Sequence, residues 1–146
     1  MRGERTILRT LAALILVGML VACSKPPAPA EAPAPTGIDA IPAPNPALYP
    51  SLSNLKDWKN PYLVVREDGI GLVDLNTRDI RLLQPEEVVP VLNALPDTAW
   101  PYGRVVLVGE AAPQVPSQQA KDAVHKNRDL LTAALTEKKI LIHNTP

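Results

Sequence analysis

Seventeen prolines are spread unevenly along the 146 residues, and nine of them fall between Ser24 and Pro50. Proline fixes its own φ, lacks an N–H and pushes the residue before it into extended geometry, so this stretch can be neither a helix nor an interior strand. The other main ingredient of "SKPPAPAEAPAPTGIDAIPAPNPALYP" is alanine, and few of its residues can build a core. It reads as a tether in polyproline II form, rising about 3.1 Å per residue and reaching on the order of 80 Å at full extension. Its low complexity marks a spacer rather than a recognised ligand. The chain accordingly divides into a leader over 1–22, a linker over 23–53 and a globular part over 54–146.

The leader carries Arg2, Arg5 and Arg9 against Glu4, followed by twelve uncharged residues from Leu11 to Ala22. A positive start and a short apolar run are the parts of an export signal. As a helix the run would rise about 18 Å, against about 30 Å of bilayer hydrocarbon, which disfavours a permanent span. It ends in Leu20-Val21-Ala22-Cys23, with the one cysteine of the chain in last place. This motif resembles the lipobox of bacterial lipoproteins. The resemblance implies a diacylglyceryl thioether on Cys23, cleavage between Ala22 and Cys23, and acylation of the new amino group, palmitate being a usual chain. A thiolate is nucleophilic enough at neutral pH for that transfer, and two or three acyl chains give a stable anchor where one does not. Ser24, in place of aspartate, implies sorting to the outer membrane.

With Cys23 so used, no disulfide, thiol catalyst or thiolate ligand is left. Without the leader, twelve basic and fourteen acidic residues remain, a net charge of −2. Nucleic-acid binders carry a clustered positive face, and these charges are interspersed, so no nucleic-acid partner is expected.

From Asn54 onward there are 28 valines, leucines and isoleucines in 93 residues, and the chain has no phenylalanine. One small domain with an aliphatic core follows. "YLVVREDGIGLVD" predicts two strands joined at Glu67-Asp68-Gly69, the Asp-Gly pair supplying positive φ. "DIRLL" predicts a third strand, with Ile80 and Leu82 facing inward and Asp79 and Arg81 wet. "QPEEVVPVLNALP" begins as a helix, with Pro85 in the first turn and Glu86 and Glu87 at the positive end of the dipole; Pro90 predicts a kink. "GRVVLVGE" predicts a strand covered on both faces, because Val105 to Val108 are all apolar. Ser117 predicts the N-cap of a long helix to Lys138, with Ala120, Ala123, Val124, Leu131, Ala134 and Leu135 on one face and Asn127 interrupting it. Ile140-Leu141-Ile142 predicts a last strand, parallel to the preceding one. The fold expected is α+β, a small two-layer sandwich in the order β-β-β-α-β-α-β with both helices on one face.

Chemistry-bearing constellations are sparse. His125 and His143 lack the spacing of metal ligands, and no metal or cofactor is expected. Glu86 and Glu87 point about 100° apart on a helix and serve its dipole rather than acid–base catalysis. No serine sits in a nucleophile elbow, so an enzyme is not expected. "AWPYGR" is the candidate binding surface: Trp100, Tyr102 and Arg104 bring an indole, a phenol and a guanidinium into one loop. Against it, a core without phenylalanine has use for every ring, which favours the loop as a core lid shaped by Pro101 and Gly103, with Trp100 buried and Tyr102 beside an exposed turn.

Within it, "PYGRVVLV" is similar over eight residues to the periplasmic domains of ExbD and TolR, although the membrane aspartate of those proteins is absent here. Strand "VVLVGE" followed by a long helix and a strand resembles OmpA-like peptidoglycan-binding domains, with Glu110-Ala111-Ala112 where that family places an aspartate. The expectation is a lipid-anchored envelope protein, held to the membrane through Cys23 and serving as a non-enzymatic accessory subunit with an envelope protein partner. The alternative is a tethered binder of peptidoglycan or a small ligand.

Overall fold

Val105 to Val108 have no polar residue among them, and a strand of that kind is stable only with both faces covered. In the structure, a computed structural model that describes residues 36–145, they form the strand β4, Val105–Glu110, buried up to its last residue. Before it come β1 (Tyr62–Arg66), β2 (Gly69–Val73), β3 (Ile80–Leu83) and α1 (Pro85–Asn93); after it come α2 (Gln118–Glu137) and β5 (Leu141–Asn144). The five strands lie in the order β3-β2-β1-β4-β5. The β1, β2 and β3 pairings are antiparallel, and β4 is parallel to both β1 and β5. The fold is the expected α+β arrangement, in the expected order of elements.

The local signals work as the residues suggest. Gly69 carries φ +143° at the end of the two-residue β1–β2 loop, a value that side-chain-bearing residues rarely take. Gln84 precedes α1, and its N–H donates to the Glu87 carboxylate at 2.7 Å, satisfying a free donor at the helix start. The helix runs on past Pro90 to Asn93. Ser117 caps α2, its hydroxyl accepting from the Ala120 N–H at 3.0 Å. At the other end Lys139 takes φ +54°, and Lys139 and Ile140 donate to Thr136 and Leu135. That is a Schellman closure, which lays buried Ile140 back on Leu135. Asn127, the interruption in the apolar stripe, donates to the Arg66 carbonyl at 2.9 Å and ties α2 to the end of β1.

Both helices pack on one face of the sheet. Val88 and Leu92 of α1 and Val124, Leu131 and Leu135 of α2 meet Leu63, Val65, Ile70, Val106 and Val108. The opposite face of β4, Val105 and Leu107, is covered by Trp58 and Tyr102, with Tyr49, Leu52 and Leu55 packed against them.

Two expectations are corrected here. The linker does not extend to residue 53. Gly37–Ala40 and Pro46–Leu48 are short 3-10 turns, and Ile38 and Ile41 are buried in the helix-side core. The Asn93 side chain accepts from the Ile38 N–H at 3.0 Å, the Pro42 carbonyl accepts from Arg104 N–H at 2.9 Å, and Asn45 N–H donates to Tyr102 O at 3.0 Å. Two isoleucines three residues apart are enough to seat the segment. Its prolines lower the entropy lost on seating it, since they restrict the unfolded chain as well. Residues 36–58 thus form a strap that crosses the domain and belongs to it.

The second correction concerns β3. Ile80 and Leu82 are 50% and 45% exposed, and Leu83 is the residue that enters the core. Only Gln84 separates β3 from α1, so Leu83 must face the helices, and the period of two then sends Leu82 and Ile80 to the other side.

Candidate functional site

The "AWPYGR" loop is built around a residue outside it. Asn60, 3% exposed, sits just before β1. Its amide nitrogen donates to the Gly103 and Val105 carbonyls, both at 2.8 Å, and its oxygen accepts from Tyr102 N–H at 3.0 Å. One side chain thereby satisfies three buried backbone groups, which fixes the loop's entry into β4.

The loop does not present a single surface. Trp100, 3% exposed, packs into the helix-side core, whereas Tyr102, 8% exposed, packs with Trp58 on the opposite face. Arg104, two residues after Tyr102, is half-buried, with its Nε enclosed and lacking a partner. Gly103, expected in an exposed turn, is buried at φ +80° under the strap, where a Cβ would run into the Ala43 carbonyl oxygen. The loop therefore packs as the lid, and Trp100, Tyr102 and Arg104 do not form the candidate binding surface. Both rings are consumed in packing, because the strap covers the side that the sequence left open. Cys23 and Ala22 lie outside the described residues.

Around Tyr102 the rings form a cluster. Trp58 lies 5.0 Å from Tyr102 and stacks on His143 at 5.8 Å and 11°. Tyr49, from the strap, meets Trp58, Tyr102 and His143 edge-on at 5.4–5.9 Å. The Tyr102 hydroxyl donates to the Asp57 carbonyl at 3.1 Å, while the Tyr49 hydroxyl is buried without a partner. Burial raises the Tyr49 and Tyr102 phenols above their ordinary range. His143 is thus an aromatic packing residue, and His125 is exposed on α2. No three metal-ligating side chains come together among the described residues.

Beside this cluster lies a cleft of about 620 Å³, at the end of the sheet where β1 begins and β2 ends. Trp58, Leu72 and Leu95 give it an apolar floor; Lys56, Lys59 and Arg81 stand with Asp74 and Asp79 around it. Asp74 accepts from the N–H groups of Asn76 at 2.8 Å and Thr77 at 3.1 Å. Those bonds hold its carboxyl below the usual range. Such a site can hold a solute with an apolar body and a charged group. No serine, threonine, cysteine or histidine lies among the described residues that line it. Sequence reading missed the cleft because its walls come from four separated segments, none carrying a motif. No family model, curated protein or solved structure matches the chain.

Proposed function

We propose that this chain is a lipid-anchored protein of the bacterial cell envelope, whose folded part is a non-enzymatic interaction module of a periplasmic or outer-membrane assembly. The observation that carries the reading is Leu20-Val21-Ala22-Cys23, placed after an arginine-bearing apolar leader and holding the one cysteine of the chain. Ser24 supports sorting to the outer membrane. The tether left between Cys23 and the strap is residues 24–35, which at polyproline II rise would reach roughly 40 Å. That length keeps the domain near the membrane surface, within reach of other envelope proteins. The leader and the anchor motif support this location.

The test starts with Cys23→Ala in the full chain. Unprocessed, unacylated precursor is expected; mature-length protein still extracted with membranes would overturn the anchor. Mild-detergent capture of the wild-type chain should then recover an envelope protein in fixed stoichiometry.

The cleft favours a second reading, a tethered binder of peptidoglycan or a small ligand, since stem peptides carry both charges and apolar carbon. Retention on cell-wall sacculus that weakens in Lys59→Glu would select it over the first.

A further inference from the structure

β3 is an outer strand of the sheet, paired with β2 alone. Asp74 N–H donates to Asp79 O at 2.9 Å, which marks those two as a hydrogen-bonded pair at the strand's start. In the register Val73–Ile80, Leu72–Arg81, Gly71–Leu82, alternation makes Leu72–Arg81 the next such pair. The backbone N–H and C=O of Ile80 and Leu82 therefore point away from β2, toward solvent. The same two residues carry the half-exposed side chains, on the sheet face opposite the helices. Ile80 lies across β2 over Gly71, where a Cβ would stand 2.7 Å from Ile80 Cγ2. Its outer flank is left clear for a neighbouring strand.

Between them Arg81 projects to the other face. It is exposed, its cross-strand neighbour is Leu72, and it forms no ion pair among the described residues. This charge argues against a second copy as occupant. Antiparallel self-pairing that uses all four outward groups sets Ile80 against Leu82, and so Arg81 against Arg81 at the closer, non-hydrogen-bonded position. Like charges directly opposite are destabilising there. A lone charge on an edge strand commonly guards against such pairing, and the same charge selects a strand that carries its opposite.

We propose that β3 accepts an extended acidic segment of a partner protein as a sixth strand, with a carboxylate opposite Arg81 and apolar side chains beside Ile80 and Leu82. Asp79 shares the face of Arg81 two residues earlier, so the partner carries no acid opposite Asp79. Lys59, on the rim of the same cleft as Arg81, adds positive charge to the approach. The backbone bonds supply affinity, and the alternating side chains supply register. The proposal rests on the reading of the domain as an interaction module and names the chemistry of its partner.

The test uses the full chain in detergent, with amide hydrogen exchange read at Ile80 and Leu82. The probes are a short acetylated peptide with one glutamate between two valines and neutral residues elsewhere, and its counterpart with lysine in place of the glutamate. At a glutamate-peptide concentration about ten times its Kd, exchange at both amides should slow about tenfold, and the lysine peptide should leave it unchanged. Arg81→Glu should reverse the preference. Leu82→Pro, which removes an outward N–H and leaves the β2 ladder intact, should abolish the slowing at Ile80. Equal slowing by both peptides, slowing by neither, or an unchanged preference in Arg81→Glu would overturn the proposal. So would slowing that rises with protein concentration alone, since that means self-pairing. If the peptides fail while detergent capture still recovers an envelope partner, the docking strand is wrong and the interaction module stands.

Discussion

The two faces of the sheet are closed by different means. On one, two helices bring Val88, Leu92, Val124, Leu131 and Leu135 onto aliphatic strand residues. On the other, the strap brings rings, and Trp58, Tyr49 and Tyr102 cover Val105 and Leu107. The first closure is made of regular elements whose backbone bonds are internal. The second is irregular, so its backbone groups need partners one at a time, which Asn60 and the Pro42 carbonyl provide. A core without phenylalanine places most of its large rings where no helix supplies bulk, with Trp100 the one that joins the helix side.

The comparison breaks most readily at the two tryptophans. Trp58 at 2% exposure and Trp100 at 3% anchor opposite faces. Either one changed to alanine should cost about 3–5 kcal/mol in denaturant melts, as deletions of large buried rings do. If the strap face is part of the cooperative unit, the two midpoints fall together. If Trp58→Ala leaves the midpoint in place, the strap is an attachment and not a wall.

A smaller effect sharpens the same contrast. Asn60→Ala strands the Tyr102 N–H and removes a donor from two buried carbonyls, and each unsatisfied group costs about 1–3 kcal/mol before water or relaxation offsets it. A net loss of about 2–4 kcal/mol is expected, with slower strap docking read as faster exchange at Asn45 N–H. Gly103→Ala should cost about 1–3 kcal/mol, through positive φ and contact with the strap. Unaltered exchange at Asn45 in both variants would show that the strap is not held by this loop.

How far the sequence could be read follows from the same division. Val124, Leu131 and Leu135 announce a helix face by their spacing, and Val105 to Val108 announce a covered strand, so the helix side was readable. The strap enters in ones and twos, with Ile38 and Ile41, then Tyr49, then Leu52 set apart by prolines. No period survives that spacing, and proline density suggested a tether. Asn60 shows no pattern at all, because its partners lie more than 40 residues away. At β3 the alternation was right and the face was wrong: alternation gives two faces, and the short connection to α1 chooses between them. Ile38 and Ile41, three residues apart, are the strap's one short-range signal.

The smallest effect separates the faces by pH. Burial raises the phenols of Tyr49, Tyr62 and Tyr102, and all three pack on the strap side. A group whose folded pKa is raised contributes stability that is complete below its unfolded value, about 10 for tyrosine, and that is lost as pH rises through the folded value. The strap face should therefore loosen above about pH 10, while the helix face, with no buried tyrosine, holds. The carboxylates respond in the other direction. Asp68, bonded to Arg66 at 2.8 Å, and Asp74, held by two backbone amides, lie below the usual range. Their contribution is present above the unfolded value of about 4 and fades as pH falls further. Both are exposed, at the turns of the β1-β2-β3 meander, so acid should fray those turns first. Exchange measured residue by residue across the pH range reads both limbs. Alkaline loss that begins in α1 or α2, ahead of Asn45 and the strap, would show that the two faces are not separately titratable.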